Sequence, residues 1–371
     1  MKPSLDTHSD MAGTAWAASR DRLARLIRPL RRLGWLGFLL RRLAGALPSL
    51  CGVIVVTFIL TRALPGDPAA YFAGPAASQS AVEEVRHALG LDRSLLVQFG
   101  LYLQDLAHWD LGRSVSSGQP VARDLLARLP ASLELTVTAL LLATLTALPL
   151  GVLAATRPGS LVDHLCRIVA TAGVSLPTFF TGLLLSFIFY YLLGWAPAPT
   201  GRLDPTFEPP ATLTGFYLID SLLAGDGELF FACLGQLILP AVTLALFVIA
   251  PIARMTRASM LGVLSSDFVR TARASGLSRP RILYVYALRN ALLPVLTTLG
   301  MVFSFLLGSS ILVEKVFAWP GVGSYALEAL IASDYAPVQG FVLALAVLYL
   351  LLNLLIDIAY GVVDPRVRLE A

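Results

Sequence analysis

Charge is scarce in this chain, and lysine scarcer still. Asp, Glu, Lys and Arg together make up 14% of the 371 residues, against about 25% in an ordinary soluble domain. Lysine occurs twice, as Lys2 and Lys315, so the net charge of +4 rests on arginine. Neither lysine ends a glycine-rich turn, which excludes a phosphate-cradling P-loop and with it ATP hydrolysis by this chain. The four histidines, His8, His87, His108 and His164, are scattered and make no His-Glu-x-x-His zinc site. A Gly-x-Ser-x-Gly nucleophile elbow is also missing. Cys51, Cys166 and Cys233 lie in or beside apolar runs without metal-ligand spacing, and read as small core or lipid-facing residues. No enzyme chemistry is visible.

In place of charge there is hydrocarbon. The chain is 56% hydrophobic and its mean hydropathy is +0.74. This composition predicts an all-α polytopic membrane protein. The arginines then report orientation, because cytoplasmic loops collect Lys and Arg; nucleic-acid binding is the weaker reading of the same charge.

Residues 1–42 form a basic extension, with Arg20, Arg22, Arg25, Arg28, Arg31, Arg32, Arg41 and Arg42 among apolar residues near helical spacing. The pattern predicts an amphipathic helix on the inner membrane face. A signal peptide cut near residues 73–77 is the rival reading, and the charged region is far too long for it. The region 43–363 follows as one membrane domain. Six spans of the needed ~20 residues are predicted at about Leu43–Leu60, Leu133–Ala155, Cys166–Leu193, Leu229–Ile252, Leu292–Val313 and Val338–Val362. Both ends then lie in the cytoplasm, including the tail 364–371. Residues 62–131, with a turn at Leu64-Pro65-Gly66-Asp67-Pro68 and a helix around Glu83, Glu84 and Arg86, are expected outside. The acid-rich stretch from Gly194 to Glu228, with the single Arg202, is expected on the same side. Pro177 should kink or break the third span.

The loop 254–290 stands out. From Arg254 to Pro294 there are seven arginines and one acid, Asp267. Ser265 or Ser266 can cap a helix whose first turn holds Asp267. Phe268 and Ala272, four apart, share a face, and Arg270 and Arg273 lie on another. Gly276 is placed for a left-handed C-cap. The predicted helix, Ser266 to Ser275, is too short to be stable alone and needs a surface to dock on. Ser278 and Pro280 then open a second helix that feeds the fifth span as a continuous rod. An ordinary basic cytoplasmic loop has the same composition; the residue pattern decides between them.

That pattern, Asp267-Phe268-Val269-Arg270-Thr271-Ala272-Arg273-Ala274-Ser275-Gly276, resembles the coupling motif of membrane permease subunits of bacterial ABC importers, in the dipeptide, oligopeptide and nickel branch. Arg270-Thr271-Ala272 stands where the family has Glu-Ala-Ala, so the glutamate is absent. Ala287 to Ala291, Leu111-Gly112-Arg113-Ser114, Pro149-Leu150-Gly151, Leu239-Pro240-Ala241, Glu314 to Gly321 and Asp364-Pro365-Arg366 support the likeness from about Arg41 to Arg368. The basic extension departs from the family.

The resemblance implies a permease that pairs with a second, similar permease and takes di- or oligopeptides from an extracytoplasmic solute-binding protein. It implies two ATPase subunits, which hold ATP and Mg and grip Asp267, Phe268, Arg270, Thr271, Ala272, Arg273 and Gly276. Nickel or another small solute is the alternative cargo. A stand-alone transporter or channel is the rival class; its hallmark would be intramembrane charge, and the candidates are few. Ser175, Pro177, Glu314, Asn353 and Asp357 are the pathway candidates, with a packed, hydrogen-bonded role the favoured reading of Asp357.

Overall fold

The computed structural model describes residues 35–363, except 64–67, 75, 89, 162, 165, 169–175 and 333. Most of the basic extension, the tail 364–371, the turn at 64–67 and the pathway candidate Ser175 therefore lie outside the described residues. Among the described residues the chain is helical, with no strand beyond an isolated bridge between Arg113 and Pro120.

The helices are α1 (Trp35–Ala63), α2 (Pro68–Ala73), α3 (Gln79–Ala88), α4 (Leu95–Ala107), α5 (Val121–Thr156) and α6 (Thr178–Ser186, continued by a π-helical turn over Phe187–Leu192). Then come α7 (Tyr217–Leu223), α8 (Gly227–Leu264), α9 (Asp267–Ala274), α10 (Arg279–Val316), α11 (Val322–Ile331) and α12 (Tyr335–Val363). Four are long and apolar enough to cross a membrane: α5, α8, α10 and α12 as far as Tyr360. The apolar stretches Ala44–Leu60 in α1 and Thr178–Leu192 are shorter.

The core is built on α5. Ala131, Leu135, Ala139, Ala143 and Ala147 recur every four residues and are all buried, so they line one face of the helix. Four of the five are alanine, which lets a neighbouring backbone come close. That neighbour is α8, whose Leu237, Ala241, Leu244, Ala245, Val248 and Ile252 complete the cluster. Helix α10 adds Val295, Val302, Leu306 and Val313. A smaller cluster joins α5, α11 and α12 through Val121, Leu125, Tyr325, Ala326 and Phe341.

Three expectations change. The fourth span does not stop at Pro251: α8 runs through Pro240 and Pro251 to Leu264, so the first part of the 254–290 loop is helix. Pro251 costs the helix a hydrogen bond, and the packing of Ile252 and Ala253, next in sequence, in the core offsets that cost. The first helix begins at Trp35, inside the stretch assigned to the basic extension. The stretch 62–131 holds α4, an apolar helix that its mixed composition hid.

Candidate functional site

The site forms where α8 ends. Ser265 and Ser266 leave the helix, and Ser266, with extended backbone, stands at the N-cap of α9. Its hydroxyl does not cap α9; it turns back and donates to the Val263 carbonyl at 2.5 Å. Asp267 opens the first turn as expected. At the other end the Gly276 amide donates to Arg273 O (3.0 Å) and the Leu277 amide to Ala272 O (3.3 Å). These two bonds make a Schellman motif. Gly276 has φ +74, a conformation that costs a side-chain-bearing residue about 1 kcal/mol or more. Three residues later α10 begins at Arg279, with Pro280 in its first turn.

The helix has two unlike sides. Val269 and Ala272, three apart, are buried with Ile282 of α10, and Val263, Leu264 and Leu277 close around them. Burying a valine side chain contributes about 1.5–3 kcal/mol, so Val269 is the main attachment of α9 to the body. Phe268 does not share that side with Ala272; it is 44% exposed. Wedge geometry explains the change: positions 269 and 272 straddle the contact with Ile282, and position 268 falls at its edge. Asp267, Arg270, Thr271, Arg273 and Gly276 are all exposed. Arg270 and Asp267 pair at 3.1 Å with both side chains in solvent, a contact worth little. Of the seven predicted coupling residues, six therefore sit on one open surface and Ala272 anchors them. Val269 was not predicted; its three-residue spacing to Ala272 was the available signal.

Arg257 leaves the basic set. Its guanidinium makes two bonds to Asp163, Nε to Oδ1 at 2.7 Å and Nη2 to Oδ2 at 2.9 Å. The Gly159 amide also donates to Asp163 at 2.9 Å. The Arg257 hydrogen bonds first, and then that amide, hold the Asp163 carboxyl down at about 2. The pair fastens the end of α8 to the link that follows α5.

Among the described residues, the predicted pathway residues fall in three places. Pro177 is the N-cap residue of α6, so the helix starts on its far side. Glu314 is completely buried. It accepts from Ser132 Oγ (2.6 Å), Ser310 Oγ (3.3 Å) and the Ser324 amide (2.8 Å). Ser132 in turn accepts from the Val322 amide (2.9 Å), and Trp319 Nε1 donates to Ala131 O (2.9 Å). Gly321 is pressed against this group: a Cβ there would meet the Glu314 carboxylate and Ser132 Oγ. Asn353 and Asp357 line a separate cavity of about 550 Å³ between α1, α10 and α12, where Asp357 pairs with Arg42 at 2.8 Å.

A second buried charge pair was also unforeseen. Arg202 reaches Glu134 at 2.5 Å and the Gly215 carbonyl at 2.9 Å, with its guanidinium 3.6 Å from the Tyr217 ring centre. The Leu218 amide donates to the other Glu134 oxygen at 2.9 Å. Lone charges at a span end carried no sign of being partners 68 residues apart.

A membrane body of alanine-lined helices, carrying one short capped helix with a charged outer face, is what a driven permease requires. Residues 147–369 match the model of the binding-protein-dependent transport system inner membrane component family, and residues 35–136 match the model of its N-terminal region. The chain belongs to this family. It is similar to the probable D,D-dipeptide transport system permease protein DdpB of Escherichia coli (strain K12), at 46% identity over 88% of this chain and 96% of that protein. It is similar also to the di/tripeptide transport system permease protein DppB of Pseudomonas aeruginosa (strain UCBPP-PA14), 43% identical over 90% and 99%. The dipeptide transport system permease protein DppB of E. coli K12 is 42% identical over the same shares. The chain is thus the permease subunit of an ABC importer, a multi-pass protein of the inner membrane. In this permease α9 occupies the stretch that carries the coupling pattern.

Proposed function

We propose that this permease forms half of a translocation path for di- or oligopeptides, paired with a second, similar permease. A solute-binding protein delivers the cargo from outside. Two ATPase subunits, which hold ATP and Mg, grip the open face of α9 from the cytoplasm. One observation carries the reading: α9 buries Val269 and Ala272 and presents Asp267, Phe268, Arg270, Thr271 and Arg273 outward. An ATPase that binds the inward and outward states of the permease with different affinity shifts their balance; equal affinity would shift nothing. The names of the relatives support peptide as cargo.

The accompanying topology has six crossings with both ends in the cytoplasm, residues 62–131 outside and 254–290 inside. Three long-range ties support it, because each joins stretches assigned to one side. Asp163 to Arg257 joins two cytoplasmic stretches. Glu134 to Arg202 joins the outer end of α5 to the 194–228 loop. Asp334 accepts from Ser114 Oγ (2.8 Å) and the Val115 (2.8 Å) and Ser116 (3.0 Å) amides, joining two outer stretches.

The test is coupling. Gly276→Pro places a ring where φ is +74 and removes the amide bonded to Arg273; charge reversal at Arg270 and Arg273 alters the open face alone. Both are expected to leave membrane insertion intact while ATP hydrolysis no longer drives uptake. Unchanged uptake by either would remove the assignment. A cysteine at Ser278 labelled by an impermeant reagent from outside would overturn the topology.

A further inference from the structure

Helix α4 carries an apolar surface that nothing in the described fold covers. One side of it is used: Gln98, Phe99, Tyr102 and Leu106 face inward. Phe58 of α1 meets the Phe99 and Tyr102 rings at 5.1 and 5.8 Å, and Arg62 Nε donates to Gln98 Oε1 at 3.3 Å. Gln98 Nε2 returns to the carbonyls of Leu91 and Arg93, so the helix is held at a set place on the last turns of α1. The adjoining side holds Leu96, Leu103 and Ala107, which recur at helical spacing and are exposed, Leu96 at 84%. Leu95, Val97 and Leu101 are exposed too, with Val97 and Leu101 on the flank beside Gln104 and Asp105. Between Ser94 and Gln104 the helix has no charged residue. Just past its end, Trp109 is 88% exposed.

What covers this surface is set by where α4 is fastened. The turns of α1 that hold it also expose Val55, Val56, Ile59 and Leu60, the side that would meet lipid in the six-crossing topology proposed above. The patch on α4 continues that side. At 13 residues α4 is too short to span, and its position at the end of α1 is that of the headgroup boundary. An apolar side, a polar side with Gln104 and Asp105, and a terminal tryptophan match a helix lying in that boundary.

We propose that α4 is an interfacial helix, with Leu96, Leu103 and Ala107 immersed among the lipids of the outer leaflet and Trp109 at headgroup level. It makes the extracytoplasmic region a lipid-contacting collar around α1. The leaflet named rests on residues 62–131 lying outside.

The experiment is site-directed spin labelling of the assembled importer in liposomes, in a Cys51→Ser, Cys166→Ser, Cys233→Ser background. Labels go on Leu96→Cys, Leu103→Cys and, on the polar side, Asp105→Cys. Collisions with oxygen, which concentrates in lipid, are compared with collisions with a water-soluble nickel chelate. The labels at 96 and 103 should favour oxygen severalfold relative to the label at 105. Chelate preference at 96 and 103 would overturn the proposal in favour of water, and shielding from both reagents would overturn it in favour of a protein partner. A cysteine at Ser116, challenged with an impermeant maleimide from outside, reports the side of the membrane independently. Absence of labelling there would fault the topology and leave the lipid contact to the collision data.

Discussion

The two ends of α10 are built on opposite plans. At Glu314 the chain closes every polar account internally, with serine hydroxyls and backbone amides meeting a carboxylate that no water reaches. At α9, beside the other end, two apolar residues are buried, and among the described residues the charged face has one exposed i,i+3 pair as its ion-pair contact. A buried carboxylate must be fully bonded or it destabilises the fold. A surface made for another subunit must keep its polar groups available. On the coupling proposed above, the contrast separates the part of the permease that holds shape by itself from the part that assembly would complete.

Stability measurements should resolve that contrast. The largest loss is expected from Glu314→Ala, which strands Ser132, Ser310 and the Ser324 amide; about 4 kcal/mol follows from several buried hydrogen bonds lost together. Thermal melting of the purified complex in detergent reads it directly, and a melt within a degree of wild type would sink the account of this hub. Next comes Arg202→Ala, which leaves Glu134 buried beside Leu218 with its counter-charge gone, a change of about 3 kcal/mol; the same melt, together with protease nicking of the 194–228 loop, checks it.

The Asp163 tie should show as a pH effect. Its folded pKa lies below the ordinary 3.8, at about 2. Its contribution is therefore complete above about pH 4 and disappears as pH falls toward 2. Wild type and Asp163→Asn melts should differ at neutral pH and converge at the acid end; a constant gap would contradict the assignment. The smallest change in stability belongs to charge reversal at Arg270 and Arg273, within about 0.5 kcal/mol, although uptake should stop. A large melt shift there would mean that the α9 face supports the fold instead of a partner.

Much of α9 was legible because its signals are local. Asp267 in a first turn, Gly276 at a left-handed cap and Pro280 at a new start each act within one turn of helix. Even there the hydroxyl of Ser266 chose Val263, and Phe268 fell outside the packed face, because tertiary contact with Ile282 selects the helix's orientation. Legibility failed where partners are far apart in sequence. Ser132 and Glu314 are separated by 182 residues, and no periodicity links them. The fourth span was ended too early for a related reason: the local cost of Pro251 is outweighed by the packing of Ile252 and Ala253. Helix α4 escaped notice because charged residues before and after it averaged away a 13-residue apolar stretch.

The length of α10 has a mechanical consequence. Thirty-eight residues run unbroken from Arg279 to Val316, through a π-helical turn at Ile282–Ala287, with Glu314 near the far end bonded into the buried hub. At 1.5 Å per residue the helix is a rod roughly 55 Å long, and the coupling proposed above would use it as a lever about the Glu314 hub. A tilt of about 10° about the fulcrum carries Arg279 through roughly 10 Å, a stroke comparable to the diameter of a helix. The π-helical turn begins three residues after Arg279, so the proposed load would enter the rod through its one stretch of altered helical pitch.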